Sequence, residues 1–242
     1  MENEPKKNDF LLPASIVVAG LMIAGSIVYL VGNKDNSNNP PANNPSNNQA
    51  ADASSILKIK SSDVILGDPK APLTLIEYGD YQCPWCGKMY HESEQPLREE
   101  YIKTSKVKMV YRNFAFLGPE SSAAAEAAEC SKDQKQFWAF HDALYSAEIS
   151  ETKNGGIENS GNLTRDLFLK IATDLKLDLP SFTNCVDSKK YANKVEQDNS
   201  DGRTAGVKGT PSVFLNDQQI GGFLPFPEIK SSIDSLLKSP KI

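Results

Sequence analysis

Leu73-Thr74-Leu75-Ile76-Glu77-Tyr78 is a mostly apolar run that leads, after four further residues, into Cys83-Pro84-Trp85-Cys86. The run is rich in residues that favour strands, and it is too short for a helix. The residues after Pro84 have a helical pattern instead. The sequence therefore predicts that both cysteines lie at a turn between a strand and a helix.

This CxxC pair has the properties of a redox centre. Pro84 favours a helix start, because proline needs no donor at the first helical position and already has the right φ. Cys83 then lies at the helix N-terminus, where free N–H groups and the macrodipole favour a thiolate. Cys86 follows three residues later on the same helical face and can form a disulfide with Cys83. We expect Cys83 to be the nucleophile and the pair to alternate between dithiol and disulfide.

Half of a zinc site is the alternative interpretation of a CxxC pair. A structural zinc ion usually takes four ligands, arranged as two close pairs. The two other cysteines, Cys130 and Cys185, lie far apart in the chain, and His91 is interpreted as a solvated helix position. This spacing favours redox chemistry, and we predict no metal site.

An uncharged segment near the N-terminus predicts a membrane anchor. No charged residue occurs among the 21 residues from Leu11 to Val31, and a helix of this length spans about the hydrocarbon core of a bilayer. We predict an uncleaved anchor over 11–32, since the apolar region of a cleaved signal peptide, the alternative, is normally shorter. Lys6 and Lys7 precede the segment, so the positive-inside rule favours a cytoplasmic N-terminus over 1–10 and an extracytoplasmic remainder.

Residues 33–53 predict a disordered tether. This segment contains eight Asn and three Pro but no aromatic or branched aliphatic residue. Such a composition cannot bury enough apolar surface to fold. We expect it to connect the anchor to a folded domain.

The overall composition excludes several other classes of function. With 39% hydrophobic and 24% charged residues, the 242-residue chain suits one medium domain with an elaboration. The formal charge is −5 and no basic stripe is present, which argues against nucleic-acid binding. Two histidines are too few for a multi-histidine metal centre.

The first half of the folded part reads as strand, helix, strand. One or two short strands are expected around Leu57, Ile59 and 64–66, before the central strand at 73–79. The helix after the cysteines is expected to run to about Lys103, with a bend at Pro96. The alternation from 107 to 114 predicts the next strand, and together these elements form a parallel crossover unit.

Helical spacing then replaces strand patterns until about Asp201. Segments 120–131, 136–147 and 164–176 are predicted helices, with Thr164 as an N-cap and His141 as a partly exposed neighbour of the core. A hairpin follows at 212–221, and an amphipathic helix closes the chain. The predicted order is β-α-β, an all-helical insertion, then β-β-α.

This order is similar to a thioredoxin fold with a helical domain between its two halves. Three motifs resemble the DsbA-like thiol-disulfide oxidoreductases, namely Leu66-Gly67-Asp68-Pro69-Lys70-Ala71-Pro72, Asp80-Tyr81-Gln82-Cys83-Pro84-Trp85-Cys86 and Gly206-Val207-Lys208-Gly209-Thr210-Pro211. The resemblance covers roughly residues 56–238. It implies an α/β thioredoxin-like domain formed by 54–118 and 202–242, with the all-helical insertion at 119–201. It also implies disulfide exchange with other proteins in an extracytoplasmic compartment.

The resemblance assigns roles to further residues. Thr210 and Pro211 match the family's cis-proline loop, which faces the CxxC pair. Glu77 matches an acidic residue below the active site that can relay a proton if it is buried; the alternative is a glutamate in solvent at a sheet edge. Trp85 and Pro84 fill the variable dipeptide that tunes the redox potential. Relatives sometimes have a second disulfide, which here would be structural and join Cys130 to Cys185.

These observations favour a membrane-anchored thiol-disulfide oxidoreductase, most simply an oxidase that donates the Cys83–Cys86 disulfide. Its expected partners are reduced exported proteins and a reoxidising membrane protein, either DsbB-like or vitamin-K-epoxide-reductase-like. A reductase or isomerase of the same fold is the first alternative. From other classes, a CxxC metallochaperone and an anchored binding module with an inert disulfide stay open.

Overall fold

Five strands form the sheet of the part of the chain that this computed structural model describes, residues 54–153, 158 and 160–238. The strands are β1 (Ile65–Leu66), β2 (Leu73–Gly79), β3 (Val107–Asn113), β4 (Ser212–Leu215) and β5 (Gln218–Gly221). Their order across the sheet is β1-β3-β2-β4-β5. β2 is parallel to β3, whereas the other neighbours are antiparallel.

The predicted anchor over 11–32 and the predicted tether over 33–53 lie outside the described residues. Within the described ranges, no helix is both long enough and apolar enough to cross a bilayer.

The central position of β2 explains how the sheet places the cysteines. Side chains alternate between the two faces of a strand, so Leu75 and Glu77 share one face while Ile76 and Tyr78 share the other. β3 and β4 cover the two edges of β2, and helices cover the sheet, so that both faces of β2 are buried. β2 therefore ends within the protein, beside the turn that contains the CxxC pair.

A long helical segment, α1, follows this turn. It consists of α-helical pieces at Pro84–Met89 and Gln95–Leu97, each followed by a π-helical piece, at Tyr90–Glu94 and Arg98–Ile102. The predicted helix to about Lys103 is therefore confirmed, and Pro96 lies between its two π-helical pieces. Met89 and Leu97 pack with Leu75 of β2 and with Ile229 of the closing helix α7 (Phe226–Lys238).

Five helices lie between β3 and β4 in the described residues. They are α2 (Pro119–Lys132), α3 (Phe137–Lys153), α4 (Arg165–Asp174), α5 (Leu179–Asp187) and α6 (Ala192–Thr204). The Thr164 side chain accepts a hydrogen bond from the Leu167 N–H at 3.2 Å, which confirms the predicted N-cap of α4. Cys130 of α2 and Cys185 of α5 form a disulfide, the pairing that the family resemblance implied.

Three expectations about this part of the fold need correction. Leu57 and Ile59 are not in a strand, since 54–56 form a helical turn and β1 begins at Ile65. The helical stretch extends past 201, because α6 ends at Thr204 and packs on the sheet, where Gly202 lies against Phe114. His141 is fully buried rather than partly exposed.

Candidate active site

Cys83 caps the N-terminus of α1, as the sequence predicts. Its backbone N–H donates to the Asp80 carbonyl at 3.0 Å, and its own carbonyl accepts from the Gly87 N–H at 3.0 Å. Pro84 occupies the start of the helix. The local sequence thus places the Cys83 sulfur at the positive end of the helix.

The two thiols of the CxxC pair have different environments. Cys83 is 5% exposed and Cys86 is fully enclosed, and neither forms a disulfide in this structure. A hydrogen bond from the Cys86 thiol is the main cause that lowers the pKa of Cys83 to about 7, with further help from Thr210, although burial opposes the shift. Burial raises the pKa of Cys86 well above its usual value. These environments make Cys83 the candidate nucleophile of the pair and Cys86 its buried partner.

Thr210 and Pro211 lie directly against the nucleophile. The Cys83 thiol donates to the Thr210 carbonyl at 3.2 Å, although the two residues are 127 positions apart in the sequence. The Thr210–Pro211 peptide bond is cis, as the resemblance implied. The backbone at Thr210 thus forms one wall of the site.

Glu77 is buried below the cysteines, which settles its position in favour of the buried alternative. It is 1% exposed in the middle of the sheet, where it pairs in register with Tyr111 of β3 and Val213 of β4. Burial, followed by the negative charges of Glu94 and Cys83, raises the pKa of Glu77 well above the usual value. A buried carboxyl group with a raised pKa can exchange its proton with a thiol.

A buried ionic network joins α1 to α3 beside Glu77. Arg98 donates to Glu94 through Nε at 2.8 Å and to Asp142 through two nitrogens at 2.7 and 2.8 Å. His141 Nε2 lies 3.6 Å from Glu94, and its Nδ1 lies 3.1 Å from the Tyr81 hydroxyl. Burial raises the pKa of Glu94, but the nearby His141 and the charge of Arg98 outweigh it and lower the pKa overall.

Sequence reasoning missed this network. The i,i+4 spacing of Glu94 and Arg98 was visible in the sequence, but such pairs are common on exposed helix faces. Glu94, His141 and Asp142 are near enough to one another to hold a cation. Arg98 already bonds both carboxylates, so its guanidinium supplies the positive charge at this cluster.

Asp80 is a second functional residue that was not singled out. One carboxylate oxygen accepts from the Gln82 N–H at 2.9 Å, and the other accepts from the N–H groups of Phe116 and Leu117 at 3.0 and 3.2 Å. Asp80 therefore holds the loop after β3 against the loop that contains Cys83. The signal was its place within the DsbA-like motif before the cysteines.

Comparisons with known proteins identify the family of this chain. A family model described as Thioredoxin matches residues 60–235. The chain is 30% identical over 241 residues to the probable disulfide bond formation protein D of Bacillus anthracis, and the alignment covers 96% of this chain and 99% of that protein. It is also 30% identical over 176 residues to disulfide bond formation protein D of Bacillus subtilis, covering 72% and 77% of the two chains.

Solved structures show the same architecture. The crystal structure of oxidised BdbD from Bacillus subtilis superposes with a TM-score of 0.65 at 27% identity, covering 74% of this chain and 94% of that one. The alpha-DsbA1 structure from Wolbachia pipientis also gives a TM-score of 0.65, at 26% identity, and covers 76% and 95%. With its CxxC pair at the start of α1 and its helices inserted between β3 and β4, this chain belongs to the DsbA-like thiol-disulfide oxidoreductases of the thioredoxin family.

Proposed function

We propose that this protein is a dithiol oxidase that transfers the Cys83–Cys86 disulfide to reduced exported proteins. The observation that supports this direction is the unequal pair of thiols, with the pKa of Cys83 lowered to about 7 and that of Cys86 raised. A stabilised Cys83 thiolate favours the reduced form of the pair, and a favoured reduced form makes the disulfide an oxidant. The names of the Bacillus relatives, which refer to disulfide bond formation, support the same direction.

The proposed reaction conserves atoms and electrons in two exchanges. A substrate thiolate attacks the Cys83 sulfur, the Cys83–Cys86 bond breaks, and Cys86 leaves as a thiolate that takes up a proton. A second substrate thiolate then attacks the substrate sulfur of the mixed disulfide and releases Cys83 as a thiolate. The substrate loses two electrons, which the protein retains as a dithiol.

Glu77 is the proposed proton donor for the departing Cys86. Its raised pKa favours the protonated carboxyl group, and its buried Oε2 has no hydrogen-bond partner among the described residues. During reoxidation the same carboxylate would accept the proton of Cys86. In this role Glu77 only transfers a proton, and the two electrons still pass from the substrate to the cysteine pair.

The proposed location is the outer face of the cell membrane. The uncharged segment over 11–32 supports an anchor, and the Asn- and Pro-rich segment over 33–53 supports a tether. A DsbB-like or vitamin-K-epoxide-reductase-like membrane protein would accept the two electrons and restore the disulfide. Protease treatment of intact cells tests this topology, since residues after 53 should be digested from outside and residues 1–10 should not.

The redox potential is the most direct test of the oxidase assignment. Residues 54–242 are equilibrated with glutathione buffers, and Trp85 fluorescence is followed in a Trp138→Phe background so that one indole reports. We expect a value of roughly −120 to −230 mV, between strongly oxidising and reducing relatives. A potential near −270 mV or lower, as in thioredoxin, would instead assign the protein as an anchored reductase.

Turnover with a dithiol peptide tests catalysis itself. The oxidised protein should convert a reduced two-cysteine peptide into its disulfide, repeatedly when an oxidant is supplied. Cys83→Ser should abolish this reaction. An inert disulfide or a metallochaperone would show no turnover, and the metallochaperone would copurify with copper or zinc under reducing conditions.

A further inference from the structure

Exposed or partly exposed aromatic rings lie on the loops next to Cys83. Trp85, the residue after Pro84, is 55% exposed, and Phe116 is 50% exposed. The Phe223 ring lies 5.5 Å from the Trp85 ring, between centroids. Exposed apolar groups that cluster beside a reactive atom indicate a surface that binds another molecule.

Specific contacts hold these rings next to Cys83. Asp80 binds the backbone N–H of Phe116 and so holds that ring's loop against the CxxC loop. On the opposite side, the backbone at Gly222 lies against Pro211, since a Cβ built at Gly222 would be 3.3 Å from the Pro211 carbonyl. A polypeptide bound at the Cys83 sulfur can therefore contact these rings.

The exposed residues near Cys83 include two lysines, Lys88 and Lys208. Lys88 Nζ lies 5.3 Å from the Trp85 ring and 4.8 Å from the Phe223 ring, and its only acidic neighbour among the described residues is Glu92 at 3.9 Å on an exposed face. Lys208 is exposed two residues before Thr210, whose carbonyl contacts the Cys83 thiol. In contrast, Glu77 and Asp80 are buried.

We propose that Lys88 and Lys208 select substrate cysteines with acidic side chains nearby. This inference rests on the proposed function and names its preferred substrates: exported polypeptides in which an apolar residue and a Glu or Asp flank the reacting cysteine. The apolar side chain packs on the rings of Trp85, Phe116 and Phe223. The carboxylate pairs with one of the two lysines, which steers association and holds the cysteine over Cys83.

A charge-exchange experiment tests the proposal. Three two-cysteine peptides are used that differ only at the positions flanking one cysteine, which are Glu, Gln or Lys. The quantity compared is the ratio of kcat/KM for the Glu peptide to that for the Lys peptide. The same peptides are used with every variant, so the effect of a neighbouring charge on the peptide's own thiol cancels.

The expected result is a loss or inversion of this ratio in charge-reversed variants. Because exposed ion pairs each contribute a few-fold, Lys88→Glu or Lys208→Glu should lower the ratio by about three- to five-fold and the double variant by about ten-fold. Lys88→Gln with Lys208→Gln should give an intermediate ratio. This neutral double variant replaces the charge-reversed variants in the test if one of them misfolds. Raising the salt concentration should reduce the preference of the unmodified protein.

Lys103→Glu with Lys170→Glu is the matched control, because it changes the net charge equally at exposed lysines away from the site. The control should keep the ratio of the unmodified protein. An unchanged ratio in the Lys88→Glu, Lys208→Glu variant would overturn the inference. Failure of the unmodified protein to oxidise even the Gln peptide would overturn the proposed function instead.

Discussion

At the scale of single residues, the pKa of Cys83 depends on the groups that donate hydrogen bonds to its sulfur. The Cys86 side chain is the main cause of the lowered pKa of Cys83, ahead of Thr210 and the backbone groups of Trp85 and Cys86. Burial raises the pKa of both thiols and is the main cause of the raised pKa of Cys86. The two thiols differ because hydrogen bonds to Cys83 outweigh its burial, whereas Cys86 is fully buried one turn further along the helix.

Two substitutions of Cys86 separate the hydrogen bond from the helix terminus. Cys86→Ser keeps a donor beside Cys83, whereas Cys86→Ala removes it, so the pKa of Cys83 should be higher in the Ala variant. Thiolate absorbance against pH measures both values. The assignment of Cys83 as nucleophile would be wrong if Cys83→Ser still titrates near pH 7.

Glu77→Gln should make the folded protein more stable at neutral pH. The folded-state pKa of Glu77 is raised, so the folded form holds a proton that the unfolded form releases above its pKa of about 4.3. Stability is therefore lost as pH rises from about 4 towards the folded pKa, at about 1.4 kcal/mol for each unit of the shift. Glu77→Gln has no group that titrates at this position, so its stability does not fall in this way as the pH rises.

Urea unfolding at pH 4 and pH 7 measures the difference in the free energy of unfolding between Glu77→Gln and the unmodified protein. This difference should be small at pH 4 and larger at pH 7. The effect should be greater in the reduced protein, because the Cys83 thiolate contributes to the raised pKa. The same variant should slow disulfide exchange. Equal stabilities of the two proteins at pH 7 would show that Glu77 ionises freely.

At the scale of secondary structure, the Cys130–Cys185 disulfide fastens α2 to α5. The two residues are 55 positions apart and pack in one core with Phe182 and Phe140. Cys83 and Cys86 belong to the same core. The helical insertion thus forms part of the surroundings of the active site while carrying its own covalent constraint.

Removing this disulfide should affect stability more than exchange. Closing a loop of this length restricts the unfolded chain, which contributes roughly 2–5 kcal/mol. Cys130→Ala with Cys185→Ala should lower the melting temperature and leave the exchange rate near that of the unmodified protein. If a folded double variant lost activity, the second disulfide would take part in electron transfer.

At the scale of the whole molecule, Arg112 ties the residues before β1 to the sheet. Its fully buried guanidinium donates to the Asp63 carboxylate at 2.8 and 3.1 Å and to the carbonyls of Ile56 and Lys58 at 2.7 and 2.8 Å. Tyr78 of β2 completes its hydrogen bonds at 3.1 Å. We therefore expect the folded domain to need residues 54–63, although they contribute no strand.

Asp63→Asn should destabilise the domain strongly. Removing one partner of a buried ion pair leaves an uncompensated charge and typically costs about 3–5 kcal/mol. Asp174→Asn, at an exposed ion pair with Lys170, should change stability by about 0.5 kcal/mol or less. Chemical denaturation compares them, and a fragment that begins at Val64 should be destabilised in the same way as Asp63→Asn. A stable fragment of this kind would show that Arg112 finds other partners.

The sequence by itself determined the features that depend on neighbours along the chain. Pro84 after Cys83, the alternation in 73–79 and the helical spacing after 119 are local patterns, and each predicted the correct element. The sequence also predicted a lowered pKa for Cys83 from its place at the helix N-terminus, although the hydrogen bond from Cys86 is the largest contribution in the structure. The family motifs extended this to Pro211 and to the Cys130–Cys185 pair.

Only the tertiary structure decided which distant side chains surround the cysteines. Alternation allowed Glu77 to lie at an edge or in the centre, and the strand order placed β2 between β3 and β4. His141 reached Glu94 because α3 packs against α1, a contact between segments 47 positions apart. Such contacts depend on how whole elements pack, and the burial that follows sets the charge states of Glu77 and Glu94 through desolvation and pairing.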